Sequence, residues 1–285
     1  MGIAYITFGI ASPSAFLIMK KKKSVAKIIK PSQPTDLEYI KLFNDCVIDK
    51  DFLGAIDKTI DDQINPNKSK YTDISDLVAG RNPSTTANSF YGFAPGFALN
   101  TRPLTMNFSN DPFSFPINKS PFQFKNPFET SINDFIVAGN QIPWYFIACA
   151  HYLECSFSFK KHLHNGDPLT NYTVKVPANR PKVGHPPPFT FEESAVDALK
   201  LMKFNEISNW NLPTVLRKLE AYNGFGYFKY HQINSPYLWS YSNQYSKGKY
   251  VSDGKFDSKA VSKQMGAAVI LKRMEERTLI SIPRH

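Results

Sequence analysis

Cysteine is scarce in this 285-residue chain: Cys46, Cys149 and Cys155 are the only three. An odd, sparse count argues against a disulfide framework. Cys149 and Cys155 would lie roughly 9 Å apart along a shared helix, which is too far for a disulfide. No Cys-x-x-Cys pair is present, and His151, His162, His164 and His185 match no zinc spacing. No metal or other cofactor is therefore expected. Internal repeats are absent apart from recurring Pro-Phe pairs. From Phe135 to Leu153 there is no charged residue at all, yet Asn140, Gln141, Pro143 and His151 interrupt that run and exclude a membrane span. A secretory leader has its charges first and its apolar core second. Here residues 1–19 are apolar and the lysines follow, so no cleavable signal is expected, whether the chain starts at Met1 or at Met19.

What is present begins with charge. The net charge is +10, and residues 1–30 hold six lysines and no acid, which leaves +4 for the remainder. The tail is either a solvated segment or a contact for an anionic membrane; no nucleic-acid partner is expected. Hydrophobic residues make up 42% of the chain, ample for a core, and the 21 prolines and 23 phenylalanines imply ordered, irregular stretches. Four segments follow: an apolar and basic tail over 1–34, a helical hairpin over 35–66, a Pro/Phe-rich wrapping segment over 67–130, and a larger domain over 131–285.

Local signals fill in the elements. Thr35 and Glu38 form a capping-box pattern ahead of Leu37, Ile40, Phe43 and Val47. Asn65-Pro66 is expected to end the second helix of the hairpin. Pro143 opens a helix to about Ser156, with Trp144, Ile147, Ala148, His151 and Cys155 on one face. Asn165-Gly166 signals a hairpin turn, and Tyr172, Val174 and Val176 alternate as a strand should. Thr190 with Glu193 caps another helix, Pro213 opens one that Asn223-Gly224 ends, and Asp257 is expected to cap a last helix through Arg277 that turns Val261, Met265, Ala268 and Val269 inward. The class is α+β, mostly helical, with a small β-hairpin after the helix that carries Glu154.

Glu154 terminates the uncharged run. A carboxyl at the edge of an apolar element loses solvation, which raises its pKa toward the range of a general acid. Glycosidic cleavage needs such an acid and a means of meeting the oxocarbenium-like centre. Asp167, in His162-Leu-His164-Asn165-Gly166-Asp167-Pro168, is the candidate second carboxylate; its alternative role is to hold its own turn. Asp253 is a weaker candidate of the same kind.

His151-Tyr-Leu-Glu154-Cys155-Ser156-Phe-Ser-Phe159 resembles the catalytic helix end of bacterial and phage lysozyme-like muramidases and lytic transglycosylases. Leu219-Glu-Ala-Tyr222-Asn223-Gly224 resembles their Ala-Tyr-Asn-Gly motif. Ser235-Pro-Tyr237-Leu-Trp239-Ser and Asn243-Gln-Tyr245-Ser-Lys-Gly248-Lys-Tyr250 resemble the tyrosine-bearing segment that completes the groove. The resemblance covers roughly residues 130–277 and implies a lysozyme-like domain acting on the glycan strands of peptidoglycan without a cofactor. It implies Glu154 as the acid, Tyr222 and Asn223 beside it, and Tyr237 and Tyr245 on the groove wall. Trp239 is a sugar platform or a core anchor, and His151 packs near the acid and orients groove groups. The family pattern has Ser or Ala after the acid where this chain has Cys155. That departure leaves an inactive glycan- or protein-binding copy as the alternative to an enzyme. The resemblance does not choose between hydrolysis and lytic transglycosylation.

Overall fold

The computed structural model describes residues 33–81, 141–252 and 254–285. The basic tail, the Pro/Phe-rich stretch from residue 82 onward and Asp253 lie outside the described residues.

Helix α1 spans Asp36–Asn44, and the Thr35 and Glu38 capping box forms as the spacing predicts. Tyr39 and Phe43 are its buried pair, whereas Leu37 and Val47, expected inside, face solvent. The inward face is offset because the Tyr39 hydroxyl donates to buried Glu220 at 2.5 Å.

Asn65-Pro66 does not end a helix. A 3-10 turn leads into α2 at Leu53–Thr59, a π turn follows over Ile60–Ile64, a 3-10 turn over Asn65–Asn67, and α3 runs over Lys68–Val78. The widened turn ahead of Pro66 accommodates a residue without an N–H. The Asn67 side chain then donates to the Gln63 carbonyl at 2.9 Å, supplying a partner beside the proline. Residues 68–78, expected to be irregular, are therefore helical.

Helix α4, Trp144–Cys155, is the hub. It opens at Pro143, and every residue from Tyr145 to His151, with Cys155, is buried. A helix apolar on all sides belongs inside. It packs against α3, against α6 at Leu212–Ala221 and against α8 at Ala267–Glu276; α5 at Phe191–Leu201 lies on α3, and α7 at Pro236–Trp239 joins α6 to α8. Asn211 caps α6 by accepting the Thr214 N–H at 3.1 Å, and Thr190 with Glu193 caps α5. Among the described residues no helix is long and apolar enough to cross a membrane.

The chain is mostly helical α+β, but its described two-stranded sheet is not where the sequence suggests. Strands β1, Lys249–Ser252, and β2, Lys255–Asp257, pair antiparallel, with Tyr250 opposite Phe256. After Asn165-Gly166 only an isolated bridge between Lys161 and Pro168 forms. Val174 and Val176 are 83% and 89% exposed. Their alternation finds no partner strand, because Asp167 takes the Val174 and Lys175 N–H groups instead. Asp257 likewise does not cap the last helix. It sits in β2, its Oδ1 accepts the Lys259 and Ala260 N–H groups, Val261 is exposed, and α8 starts only at Ala267.

Candidate functional site

Glu154 emerges from the core in the last turn of α4. Its carboxyl is half-buried and makes no hydrogen bond or ion pair among the described residues. Burial alone pushes its pKa up to about 7. The chain then reverses sharply: Ser156 and Phe157 both adopt left-handed backbone, with φ of 51° and 62°. That geometry costs about 1–2 kcal/mol per non-glycine residue. The Phe157 ring offsets it by packing on Tyr152, 5.2 Å between centroids, and edge-on to His151 at 5.8 Å.

The loop after this reversal lies across the end of α4. His162 N–H donates to the Asp167 carbonyl at 2.7 Å, and Gly166 N–H to the His162 carbonyl at 2.9 Å. Gly166 has φ of +75°, and a Cβ there would stand 2.7 Å from the Glu154 carbonyl oxygen. Glycine is required twice over, for the turn and for the approach to the acid-bearing residue. Replacing Gly166 with alanine is expected to destabilise the fold by about 2–4 kcal/mol, from left-handed strain plus overpacking against backbone. Urea titration measures this, and a change under about 0.5 kcal/mol would show that the loop does not rest on α4.

Two tyrosines stand around the carboxyl. Burial, and then the charge of Glu154, raise the pKa values of Tyr222 and Tyr237. The Tyr222 hydroxyl is buried without a hydrogen-bond partner among the described residues. Tyr222 follows α6 directly, and the exposed Asn223 closes the turn by donating its N–H to the Glu220 carbonyl at 3.0 Å. Tyr237, half-buried on α7, meets Tyr227 edge-on at 6.0 Å. The four segments carrying Glu154, Gly166, Tyr222 and Tyr237 thus converge on one place.

Other expected site residues go elsewhere. The Asp167 carboxylate accepts the Val174 and Lys175 N–H groups at 2.8 and 2.9 Å, with Lys175 Nζ at 3.5 Å. Although burial works in the other direction, these bonds hold its pKa below the usual carboxylate range. Asp167 is not among the charges acting on Glu154. His151 is fully buried among Tyr71, Phe159 and Phe191, with Nδ1 3.0 Å from the Tyr71 hydroxyl. Burial pushes its pKa down to about 4, which leaves it neutral and out of reach of a sugar. Its Nε2 has no hydrogen-bond partner among the described residues. Trp239 is 1% exposed and serves as a core anchor. Tyr245 clasps backbone, donating to the Gly248 carbonyl at 3.0 Å and accepting the Ser262 N–H at 3.2 Å.

Cys155, beside the acid, is buried, and its thiol lies 3.3 Å from the His162 carbonyl. Burial, then the Glu154 charge, pushes its pKa up to about 12, so it remains a donor that ties the helix end to the loop. A second polar cluster looks nucleophilic at first sight. Ser194 Oγ is 3.3 Å from His164 Nδ1, and His164 Nε2 is 2.8 Å from Asp197, which also takes Arg180 in a two-pronged pair. Ser194 is wholly buried, however, accepts the Leu163 N–H and touches His162 as well. It bolts the 161–182 loop to α5 and has no route to a substrate. Among the described residues no group of three or more His, Cys, Asp or Glu side chains is arranged to hold a metal ion.

No motif in the sequence marks Glu220. It is buried on α6, accepts from Tyr39, and burial raises its pKa to about 7. Its position one turn after Leu216 on the inward face of α6 was the available signal. No family model, curated protein or solved structure matches the chain.

Proposed function

We propose that the protein cleaves the glycan strands of peptidoglycan as a lysozyme-like muramidase, with Glu154 as the general acid. One observation carries the reading: a carboxyl with no ion pair or hydrogen bond among the described residues, held at the end of an apolar helix where burial raises its pKa to about 7, beside two tyrosines. Glu154 donates its proton to the glycosidic oxygen as the bond from that oxygen to the anomeric carbon breaks, the leaving sugar departs as an alcohol, and in hydrolysis a water adds to the anomeric carbon and gives its proton back to Glu154. Tyr222, whose hydroxyl is buried with no hydrogen-bond partner among the described residues, bounds the site beside Glu154.

A second outcome on the same site is favoured by Asp167. Its carboxylate is committed to two backbone N–H groups, so it is a poor candidate for activating water. A hydroxyl of the substrate itself can then attack the anomeric carbon and return its proton to Glu154, giving an anhydro sugar. That is lytic transglycosylation. Mass spectrometry of the products from purified cell walls decides: fragments short of one water at the muramyl end support transglycosylation, whereas reducing ends carrying that water support hydrolysis. Intact walls after prolonged incubation would refute both.

The pH profile follows from the same carboxyl. The acid must be protonated, so cleavage is expected to hold steady below about pH 6 and to fall about tenfold per unit above about pH 8 as Glu154 ionises around 7. A rate unchanged through pH 9 would remove Glu154 from the proton-donating step.

A further inference from the structure

Between Phe225 and Lys263 the chain has six lysines, two aspartates, and no arginine or glutamate. By contrast residues 33–81 hold ten acids against six bases. The segment after α6 with the β1–β2 hairpin, one lobe, thus has a net charge of +4, equal to that of the whole chain outside residues 1–30. Lys229, Lys247, Lys255, Lys259 and Lys263 are exposed and Lys249 is half-buried. None of the six forms an ion pair among the described residues. Asp257 lies opposite Lys249 across the hairpin but forms no ion pair with it among the described residues; its Oδ1 accepts two backbone N–H groups. The arginines elsewhere are paired: Arg273 and Arg277 with Asp57, Arg284 with Glu275, Arg180 with Asp197.

The same lobe carries aromatic faces and amides. From Tyr237, beside Glu154, contact passes to Tyr227 and on to Tyr250 at 5.1 Å; the Tyr250 hydroxyl is 3.0 Å from His231 Nε2, and His231 stacks on Phe256 at 3.5 Å. Tyr230 is 66% exposed. A cavity of about 230 Å³ opens between two segments of the lobe, lined by Gln232, Ile233, Asn234, Gln244, Tyr245 and Lys247 among others. Ring faces suit the C–H faces of sugars, side-chain amides suit hydroxyl and acetamido groups, and ammonium groups suit carboxylates. Arginine, whose planar fork matches phosphate, is missing from the lobe.

We propose that this lobe is a docking surface for a carboxylate-bearing glycan strand, next to the cleft at Glu154, to which it is joined by the packing of Tyr237 on the buried Tyr227. The inference rests on the glycan-cleaving reading of that cleft, but it concerns binding and not turnover. Lysines at the surface attract the stem-peptide carboxylates, and the aromatic and amide groups set the strand in register. Attraction of this kind is screened by salt.

The test uses the full chain carrying Glu154→Gln, so that turnover does not consume the ligand, and purified sacculi stripped of phosphate-containing polymers. Adding Lys247→Gln, Lys249→Gln and Lys255→Gln together is expected to weaken co-sedimentation roughly tenfold, the sum of three modest surface charge interactions. Amidating the sacculus carboxylates is expected to produce the same loss with the lysines intact. Neutralising Lys182, Lys200 and Lys203 instead, all exposed and outside the lobe, is expected to leave affinity unchanged. Thermal melting of each variant establishes that it is folded; if the 247/249/255 variant fails to fold, the amidated sacculi decide. Undiminished binding to amidated sacculi, or an equal loss from the 182/200/203 set, would overturn the proposal. So would tighter binding to duplex DNA or to anionic lipid vesicles. Cleavage that survives Glu154→Gln would refute the acid assignment while leaving these binding results to stand or fall separately.

Discussion

Replacing Glu154 with glutamine is expected to slow wall cleavage by about 10²–10⁴-fold, the usual contribution of a positioned general acid, and to make the protein more stable at alkaline pH. The two effects share one cause. Glutamine keeps the shape of the side chain and removes the transferable proton. It also removes a charge that the fold solvates poorly. In the unfolded chain this carboxyl ionises near its ordinary 4.5, whereas in the fold burial holds it near 7. Below pH 4.5 both states are protonated and nothing is lost. As pH rises toward 7 the unfolded chain releases its proton first and is favoured, so the stability present at low pH is lost by about pH 8. Glutamine has no proton to lose. The variant should therefore match the parent near pH 4 and exceed it by about 1–3 kcal/mol near pH 8. Glu220 contributes a pH dependence of the same sign but is present in both proteins and cancels. Thermal unfolding at the two pH values, set beside turbidity loss of purified walls, reads both effects. Full cleavage by the variant would refute the acid. A stability gain independent of pH would refute the desolvation that makes it one.

Gly266→Ala is expected to cost about 3 kcal/mol or more, at the destabilising end for a single methyl group. The backbone there is ordinary, with φ of −74°, so the cost is steric and not conformational. A Cβ would lie 2.1 Å from the Leu238 carbonyl oxygen and 2.7 Å from the Trp239 nitrogen. Both are backbone atoms, and neither can rotate away. Accommodating the methyl group requires α8 to part from α7, which carries Tyr237 toward Glu154 and buries Trp239. Loss of stability should thus be accompanied by weakened cleavage. Gly54 is the control: nothing lies within 4 Å of a Cβ there, and it sits in α2. Alanine at 54 should stabilise by about 0.5–1 kcal/mol, since glycine is a poor helix former. Chemical denaturation of the two variants checks the pair, and equal effects at the two glycines would show that α7 and α8 are not in contact.

Helix starts were legible because capping is local. Thr35 with Glu38, Thr190 with Glu193, and Pro143 lie within one turn of what they organise, so three or four residues suffice to identify them. Strand pairing was not legible, because it depends on a distant partner. The alternation at Tyr172, Val174 and Val176 promised an edge, and Asp167 consumed the N–H groups that an edge would use. Pro66 misled for a related reason: a π turn and an asparagine side chain let one helical run continue past it. The site was divided in the same way. Glu154 could be identified from its uncharged approach, but Asp167, His151 and Trp239 could not be told apart from groove residues without knowing which way they faced.

The order of residues was enough to establish a mostly helical chain with a buried helix that ends in a lone carboxyl, because an uncharged run of that length must be covered and a charge at its end must lose water. Everything about company was decided in three dimensions. Whether a second carboxylate stands beside Glu154, which tyrosines surround it, why Gly166 has to be glycine and which lysines share one lobe all depend on contacts between segments tens to hundreds of residues apart. Such contacts are selected by packing of the whole core, and no short stretch of sequence encodes them.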